Sequence, residues 1–576
     1  MLKNKIEKLL INAVNSCGYK VSKSGILQVP RDDNWGDYTT NIAFVIGKKN
    51  NISPEIVASN IINKIKQIPE CSVELTKAGY INFKINDQFL IDNLKKVLLE
   101  KDKYGSSDVG KGKTIVIDYS SPNIAKPFSV GHFRATTIGH AIYNIYKYLG
   151  YEVISDNHIG DWGTQFGKII VAYKKWGDKN KIEKNPIQEF YNLYVKFHQQ
   201  VDIEPSLNDE ARKWFKRLED HDSQAYDMWK WIVKLSIKEF NKLYDLLDVK
   251  FDFMLGESFY EDKIEDIVSE CIDKKIAHWT DAINTDKKII RDEKVLLIDL
   301  KKERIDTPML LKKSDGATLY ATRDLTTAKY RIDKWNPKKI LYVVGNEQKL
   351  YFKQLFKVLE MLGYNQNIFE HINFGLIRMP GGKMSTRKGR TVFIRDVINE
   401  TVKRAQKFVE NKDISEEEKN NISKVVGIGA LKYADLSQNR NQDIVFDYAK
   451  IMTLKGNSGP YLQYTYARAK SILNKVKRRK LIKSHSRDIA LREKNILRKI
   501  YKFQQIVQMS ASSYMPNYIA NYLYELANEF NSFYQTVPIL KSDGDEKDFR
   551  IMVVDASSWV IKNALGLLGI ETLDKM

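Results

Sequence analysis

Apolar positions along this chain follow two rhythms, and the rhythm shifts where the chain changes character. Ile6, Leu9, Leu10 and Ala13 recur at the i, i+3, i+4, i+7 spacing of a helix with one apolar face. The stretch "SPEIVASNIINKI" predicts a second helix, with Ser53 as its N-cap and Pro54 in the first turn. "VELTKAGYINFKI" alternates with period two about Gly79 and predicts a strand pair. The polar stretch "KDKYGSSDVGKGK" then closes a small α+β unit over residues 1–107.

Beyond that linker, "TIVIDYS", "YEVISDNH" and "KKILYVVGN" are short β-rich runs, and a helical pattern over 132–149 stands between the first two. Strand and helix in alternation predict a parallel sheet with crossover helices, an α/β domain over 108–440. Inside it, residues from about 175 to 285 turn charged, aromatic and helical, as in "RKWFKRLEDHDSQAYDMWKWIVKLSIKEFNKLYDLL", and predict a helical insertion. From about residue 396 the chain is almost wholly helix-periodic, so residues 441–576 read as an all-α bundle. No internal repeat of fixed period is visible.

Charge adds a partner class. Lys and Arg number 93 against 72 Asp and Glu, a net +21 over 576 residues, which suits a polyanion such as nucleic acid. No apolar run reaches the roughly 18 residues of a membrane helix. The best candidate, "IMVVDASSWVIKNALGLLGI", is broken by Asp555 and Lys562. "MLKNKIEKLLINAV" has neither a continuous apolar core nor a cleavage site, so no export signal and a cytoplasmic setting are expected. Cys17, Cys71 and Cys271 are scattered, forming neither a disulfide framework nor a metal knuckle, and no structural metal is expected.

The candidate chemistry begins in "SSPNIAKPFSVGHFRATTIGHAIYNIYKYLG", residues 120–150. Pro122 and Pro127 hold the chain out of helix. Gly131 permits close approach of another group, and the helix N-terminus near His132 points its N–H groups back at the bend. Lys126 supplies a mobile cation and His132 a donor without fixed charge. That set is a phosphate site in physical terms, or else a helix cap. "RMPGGKMSTRKGR", residues 378–390, places Lys383, Arg387, Lys388 and Arg390 around Ser385 and Thr386 behind two glycines. It suits a cationic flap over a triphosphate, a solvated basic loop, or an RNA-backbone contact.

Together, "SVGH" and "KMSTR" resemble the paired signatures of the class I aminoacyl-tRNA synthetases, in the right order and roughly 250 residues apart. The resemblance implies ATP binding by Lys126, Ser129, Gly131, His132, Lys383, Met384 and Ser385. Of these, Lys126, Ser129, His132, Lys383 and Ser385 would act on the transition state. It also implies ATP with Mg2+ as substrate complex. Two departures stand out. Ser129 replaces a histidine, and Thr386 replaces the second lysine of the loop, for which Lys126 is the natural substitute.

The amino acid is suggested by five residues. Asp118 and Asn123 lie at one strand end, Tyr320 and Asp324 four apart on one helix face, and Gln348 beyond another strand. Carboxylates, amides and a phenol suit a planar guanidinium, with its five donors in a fixed fork, better than a lysine ammonium. "SSPNIAKPFSVGHFR", "SDNHIGDWGTQFG", "LYATRD" and "GPYLQYTYARAKSIL", with "GDYTTNIAF", "AGYINFKI" and "LANEFNSFYQ", resemble the arginyl-tRNA synthetases over nearly the whole chain.

That resemblance implies a Rossmann-like catalytic domain, a tRNA-binding N-terminal domain and an anticodon-binding helical bundle. It further implies arginine held by Asp118, Asn123, Tyr320, Asp324 and Gln348, with tRNA(Arg) as partner and tRNA needed for activation. A monomer is expected. His158 suits either a substrate contact or a buried ring bonded to a backbone carbonyl, and Asp161 and Trp162 suit scaffold. Tyr351 stands where that family often has histidine. Asp118 as a capping acceptor and Tyr320 as a core residue remain open. Tyr461, Tyr464, Tyr466 and Arg468 interleave aromatics and a cation that suit splayed bases, or in part the core. The basic run at Lys477–Lys480 suits a phosphate backbone or a solvated face. A synthetase-like tRNA-binding protein with impaired catalysis, and a ligase for another basic substrate, are the alternatives.

Overall fold

The computed structural model describes residues 2–20, 26–30, 32, 35–283, 289–378, 393–476 and 489–576, with the backbone alone for 282–283 and 289–292. The N-terminal unit folds three strands, β1 (Tyr38–Thr40), β2 (Cys71–Leu75) and β3 (Ile81–Ile85), into an antiparallel sheet with β3 in the centre. The strand pair turns at Gly79, whose φ of 97° is left-handed and open to glycine. Helix Pro54–Lys64 starts behind Ser53 as the sequence predicts, although the serine side chain makes no capping bond.

The central sheet comprises β4 (Thr114–Asp118), β5 (Glu152–Asp156), β9 (Lys339–Tyr342) and β10 (Phe369–His371), all parallel in the order β10-β9-β4-β5. β4 is central and apolar on both faces because helices cover both. The helix Val130–Tyr148 crosses from β4 to β5 and begins two residues before the predicted start. Loops after the carboxyl ends of β4, β5 and β9 therefore gather on one side, where open α/β sheets bind ligands.

The insertion departs from the all-helical expectation. Helices fill 179–246, but β6 (Ala277–Ile283), β7 (Ile289–Ile298) and β8 (Met309–Lys312) form a separate antiparallel sheet. The C-terminal part is helical as expected, with Gly459–Asn474, Leu491–Ser513, Asn517–Thr536 and Gly544–Leu567 packed together. β11 (Ile377–Arg378) and β12 (Ile444–Val445) pair in parallel and stitch the catalytic domain to the segment entering this bundle. Among the described residues no helix is long and apolar enough to cross a membrane.

Candidate active site

The turn leaving β4 is strained. Ser120, Ser121 and Ala125 all carry positive φ, at 75°, 44° and 60°. Such backbone persists where surrounding structure over-determines it, commonly at ligand sites. Ser129 ends the turn, and its backbone N–H donates to His132 Nδ1 at 3.1 Å. An accepting Nδ1 puts the proton of the neutral ring on Nε2. Burial, and then the charge of Lys126, push the His132 pKa down to about 4. The ring is thus a neutral donor at physiological pH. Beside it, among the described residues only Ser129 Oγ, at 3.5 Å, lies within 4 Å of where a side chain at Gly131 would begin. The space over Gly131 is open to a ligand. Lys126 is half-buried, with Nζ 5.5 Å from the centre of the Tyr194 ring.

Both ends of the second signature return to this turn. Arg134, fully buried, donates through Nη1 to Gly375 O at 2.6 Å and to Gln442 O at 3.0 Å, and its Nε stands 3.0 Å from Asp435 Oδ1. That bracket fixes the approach to β11. On the far side, Ile394 N donates to Phe128 O at 3.1 Å and Phe393 bridges Ser129. Lys383, Met384 and Ser385, with Thr386, Arg387, Lys388 and Arg390, lie outside the described residues, as does the basic run 477–480.

A second set of side chains gathers beside the ends of β4 and β5. Arg331, on the helix Tyr320–Trp335, is fully buried, with Nη2 2.8 Å from both Asp118 Oδ2 and Asp156 Oδ2. Ser121 Oγ donates to Asp118 Oδ1 at 2.8 Å. Asp118 thus has two internal partners, neither of them the capping role left open by the sequence. His158 donates Nδ1–H to Leu255 O at 2.8 Å, which is the carbonyl-bonded ring the sequence allowed. Its Nε2, without a hydrogen-bond partner among the described residues, faces Asp324 Oδ1 at 3.8 Å. Burial alone would lower the His158 pKa, but Asp118, Asp324 and Asp156 outweigh it and Arg331, and the net shift is upward.

Asp324 is itself shifted upward by burial, against the opposing effects of His158 and the Tyr351 hydroxyl that donates to its Oδ2. Tyr320, 58% exposed, is not a core residue, and its ring centre lies 5.0 Å from that of Tyr351. Asn123 packs on Gly160, where a Cβ would meet Asn123 Oδ1 at 2.5 Å. Gln348 is exposed, just past β9.

Two residues that the sequence reading passed over belong to this cluster. Arg331 lies seven positions after Asp324 on the same helix face, and that spacing is the signal by which the sequence could have found it. Glu257 is the other. Burial pushes its pKa up to about 7, with His158 and Arg323 opposing and Asp324 and Asp161 reinforcing the rise. It is seated through Gly256, where a Cβ would lie 2.4 Å from Asp161 Oδ2. Asp161 accepts from Ser258 N at 2.8 Å and Ser258 Oγ at 2.7 Å, a scaffold role.

On the helical bundle, Arg468 lies between two rings, 4.9 Å from the centre of Tyr464 and 5.0 Å from that of Tyr534. These three line a groove of about 1220 Å³ together with Lys412, Lys475 and Lys541. Tyr461 borders the same helix, with its hydroxyl on Asn528 at 2.8 Å. Tyr466 is a correction: it is 3% exposed with its hydroxyl on Asp574, because its helical phase turns it inward.

The chain matches the family model described as tRNA synthetases class I (R), catalytic domain, over residues 93–448. It also matches the DALR anticodon binding domain over 462–576 and the arginyl tRNA synthetase N terminal domain over 2–85. It is 39% identical to an arginine–tRNA ligase of Halothermothrix orenii, covering 100% of this chain and 99% of that one. To one of Clostridium botulinum it is 41% identical, covering 96% of each. An arginyl-tRNA synthetase structure from Thermus thermophilus superposes with a TM-score of 0.83 at 20% identity over 100% of both chains. One from Plasmodium falciparum superposes with a TM-score of 0.79 at 25% identity over 100% of this chain and 99% of that one.

Proposed function

The chain belongs to the arginyl-tRNA synthetase family, and from that premise we propose how its residues divide the labour of charging tRNA with arginine. The enzyme joins L-arginine to tRNA with ATP. An arginine carboxylate oxygen attacks the α-phosphorus, forming the mixed anhydride as the bond to the β-phosphate oxygen breaks and pyrophosphate leaves. The 3′-terminal ribose hydroxyl of the tRNA then attacks the activated carbonyl and AMP leaves. Positioning and charge stabilisation do most of this work.

The observation that carries the residue assignment is the pair of half-buried carboxylates, Asp324 and Glu257, beside a strand end whose other side is the phosphate corner. Asp324, Glu257 and the Tyr320 hydroxyl take the guanidinium. Asp118, already paired with Arg331, has lone pairs left that suit the substrate's α-ammonium better than its side chain. Asn123 and Gln348 hold the amino-acid end, and His158 keeps Asp324 charged. Ser129, Gly131, His132 and Lys126 receive the phosphates of ATP, which arrives with Mg2+, and Lys383, Met384 and Ser385 close on them. Lys126 supplies the cation that Thr386 cannot. Tyr464 and Arg468, with Tyr461 at the rim, stack anticodon bases.

The division 1–107, 108–440 and 441–576 follows these roles. In this reading the enzyme works as a monomer in the cytoplasm.

The test is ATP–pyrophosphate exchange with and without tRNA(Arg), comparing arginine, lysine and cysteine. Exchange that depends on arginine and tRNA together is expected. Exchange absent with all three amino acids would favour the catalytically impaired reading, and exchange led by lysine would overturn the slot.

A further inference from the structure

Two of the groups assigned to the guanidinium, Tyr320 and Asp324, stand one turn apart at the start of the helix Tyr320–Trp335. One side chain from the following helix, Lys349–Met361, touches both. The Tyr351 hydroxyl donates to Asp324 Oδ2, and its ring lies 5.0 Å, centre to centre, from that of Tyr320. The phenol is a dependable donor, because burial and then the Asp324 charge push its pKa well above the ordinary tyrosine value. With Oδ2 occupied, Asp324 turns Oδ1 toward His158 Nε2 at 3.8 Å, in the space left for substrate. Tyr320, being more than half exposed, has several rotamers open to it, and contact with the Tyr351 ring narrows them.

We propose that Tyr351 is a positioning residue for arginine recognition, which holds Asp324 and Tyr320 in the one arrangement that accepts a planar guanidinium. This rests on the slot assigned above. A carboxylate free to rotate can turn to a compact ammonium as readily as to a fork of N–H donors. One held by a second hydrogen bond cannot, so Tyr351 serves specificity as well as affinity.

Tyr351→Phe separates the two contacts, since it keeps the ring on Tyr320 and removes the hydroxyl from Asp324. The expected result is a KM for arginine raised by about tenfold to a hundredfold, the range of a hydrogen bond to a charged group. The KM for ATP and the melting temperature should stay unchanged, and the preference for arginine over lysine should narrow. Tyr351→Leu, which loses the ring as well, should be worse. The pH profile gives a readout that a purely structural role would not move.

Asp324 faces His158, Arg331, Asp118, Glu257 and Tyr351. Burial raises its pKa, Asp118 adds to the rise, and His158, Tyr351 and Arg331 oppose it. Removing the phenol raises it further, so on acidification the KM for arginine should begin to climb at a higher pH in Tyr351→Phe than in wild type. A wild-type KM and profile in Tyr351→Phe, with Asp324→Asn strongly impaired, would overturn the proposal and leave the slot standing. A wild-type KM in Asp324→Asn would remove the slot itself. Should Tyr351→Phe not fold, Tyr351→His, which keeps a ring and a donor, is compared with Tyr351→Leu, and equal KM values for arginine overturn the proposal.

Discussion

Replacing Glu257 by glutamine removes one negative charge from the slot while keeping its shape. In the free enzyme burial holds this carboxyl near a pKa of about 7, so roughly half the molecules carry it protonated at neutral pH. Arginine binds the ionised form. A charge-assisted hydrogen bond to a guanidinium contributes about 1.5–3 kcal/mol, so Glu257→Gln should raise the KM for arginine by roughly 10- to 150-fold where wild type is fully ionised. At pH 6 about nine-tenths of the wild-type carboxyls are protonated, and the wild-type advantage shrinks about tenfold.

The ratio of mutant to wild-type KM, read by pyrophosphate exchange, should therefore fall about tenfold between pH 8.5 and pH 6. Because the folded pKa is above the unfolded value of about 4.3, the folded protein binds more protons between the two values. Its stability consequently falls as the pH rises through that window. Glutamine removes a penalty of about 3.7 kcal/mol above pH 7, so the free mutant should melt higher than wild type at pH 8. A KM ratio independent of pH, or a mutant that melts lower at pH 8, would refute the assignment of Glu257.

Lys126→Ala should cut the rate of exchange more than tenfold, and by about 10² to 10³ if it meets the developing charge, while arginine binding measured by calorimetry stays nearly intact. A near-wild-type rate removes its role as substitute for Thr386. Arg468→Ala should raise the KM for tRNA by about 5- to 150-fold, the worth of one stacked base, with the KM values for arginine and ATP unchanged. Asp435→Ala strands the buried Arg134 and removes the acceptor of the Thr137 hydroxyl, 2.7 Å away. A loss of about 3–5 kcal/mol is expected, seen as a lower melting temperature together with slower exchange, because Arg134 also holds the approach to β11.

What the sequence made legible was local. The β4 turn and its helix are visible because Pro122, Pro127 and Gly131 act on their own backbone, and the helix start was missed by only two residues. The parallel sheet follows from alternation of runs that need no knowledge of partners. The antiparallel sheet of β6, β7 and β8 was hidden because "AHWTDAI" alternates polar and apolar weakly and follows a long helical stretch. Arg331 escaped because its partner Asp156 is 175 residues away, and an arginine in an amphipathic helix reads as a surface residue. Glu257 escaped for the same reason: its meaning lies in burial, which no window of sequence carries. Tyr466 was misplaced by helical phase, which a cluster of tyrosines leaves ambiguous.

The site's chemistry follows from the two sides of one strand end. On one side Asp118, Asp156, Asp324 and Glu257 have Arg331, Arg323 and His158 as nearby cations among the described residues, and burial first, with the neighbouring carboxylates adding to it, shifts Asp324 and Glu257 upward. On the other side Lys126 supplies the positive charge of the corner, and burial, with that charge second, keeps His132 a neutral donor. A substrate that carries a cation at one end and a carboxylate at the other is oriented by that gradient before any specific bond forms. On the proposed assignment its guanidinium enters the slot, and its carboxylate faces the corner proposed to hold the α-phosphate. The distance between the two fields is set by β4 itself, which contributes Asp118 at its last residue and leads through the strained turn to Lys126. The strain at Ser120, Ser121 and Ala125 is then the means by which one short segment serves both fields, since a relaxed turn would carry the lysine away from the strand that holds the aspartate.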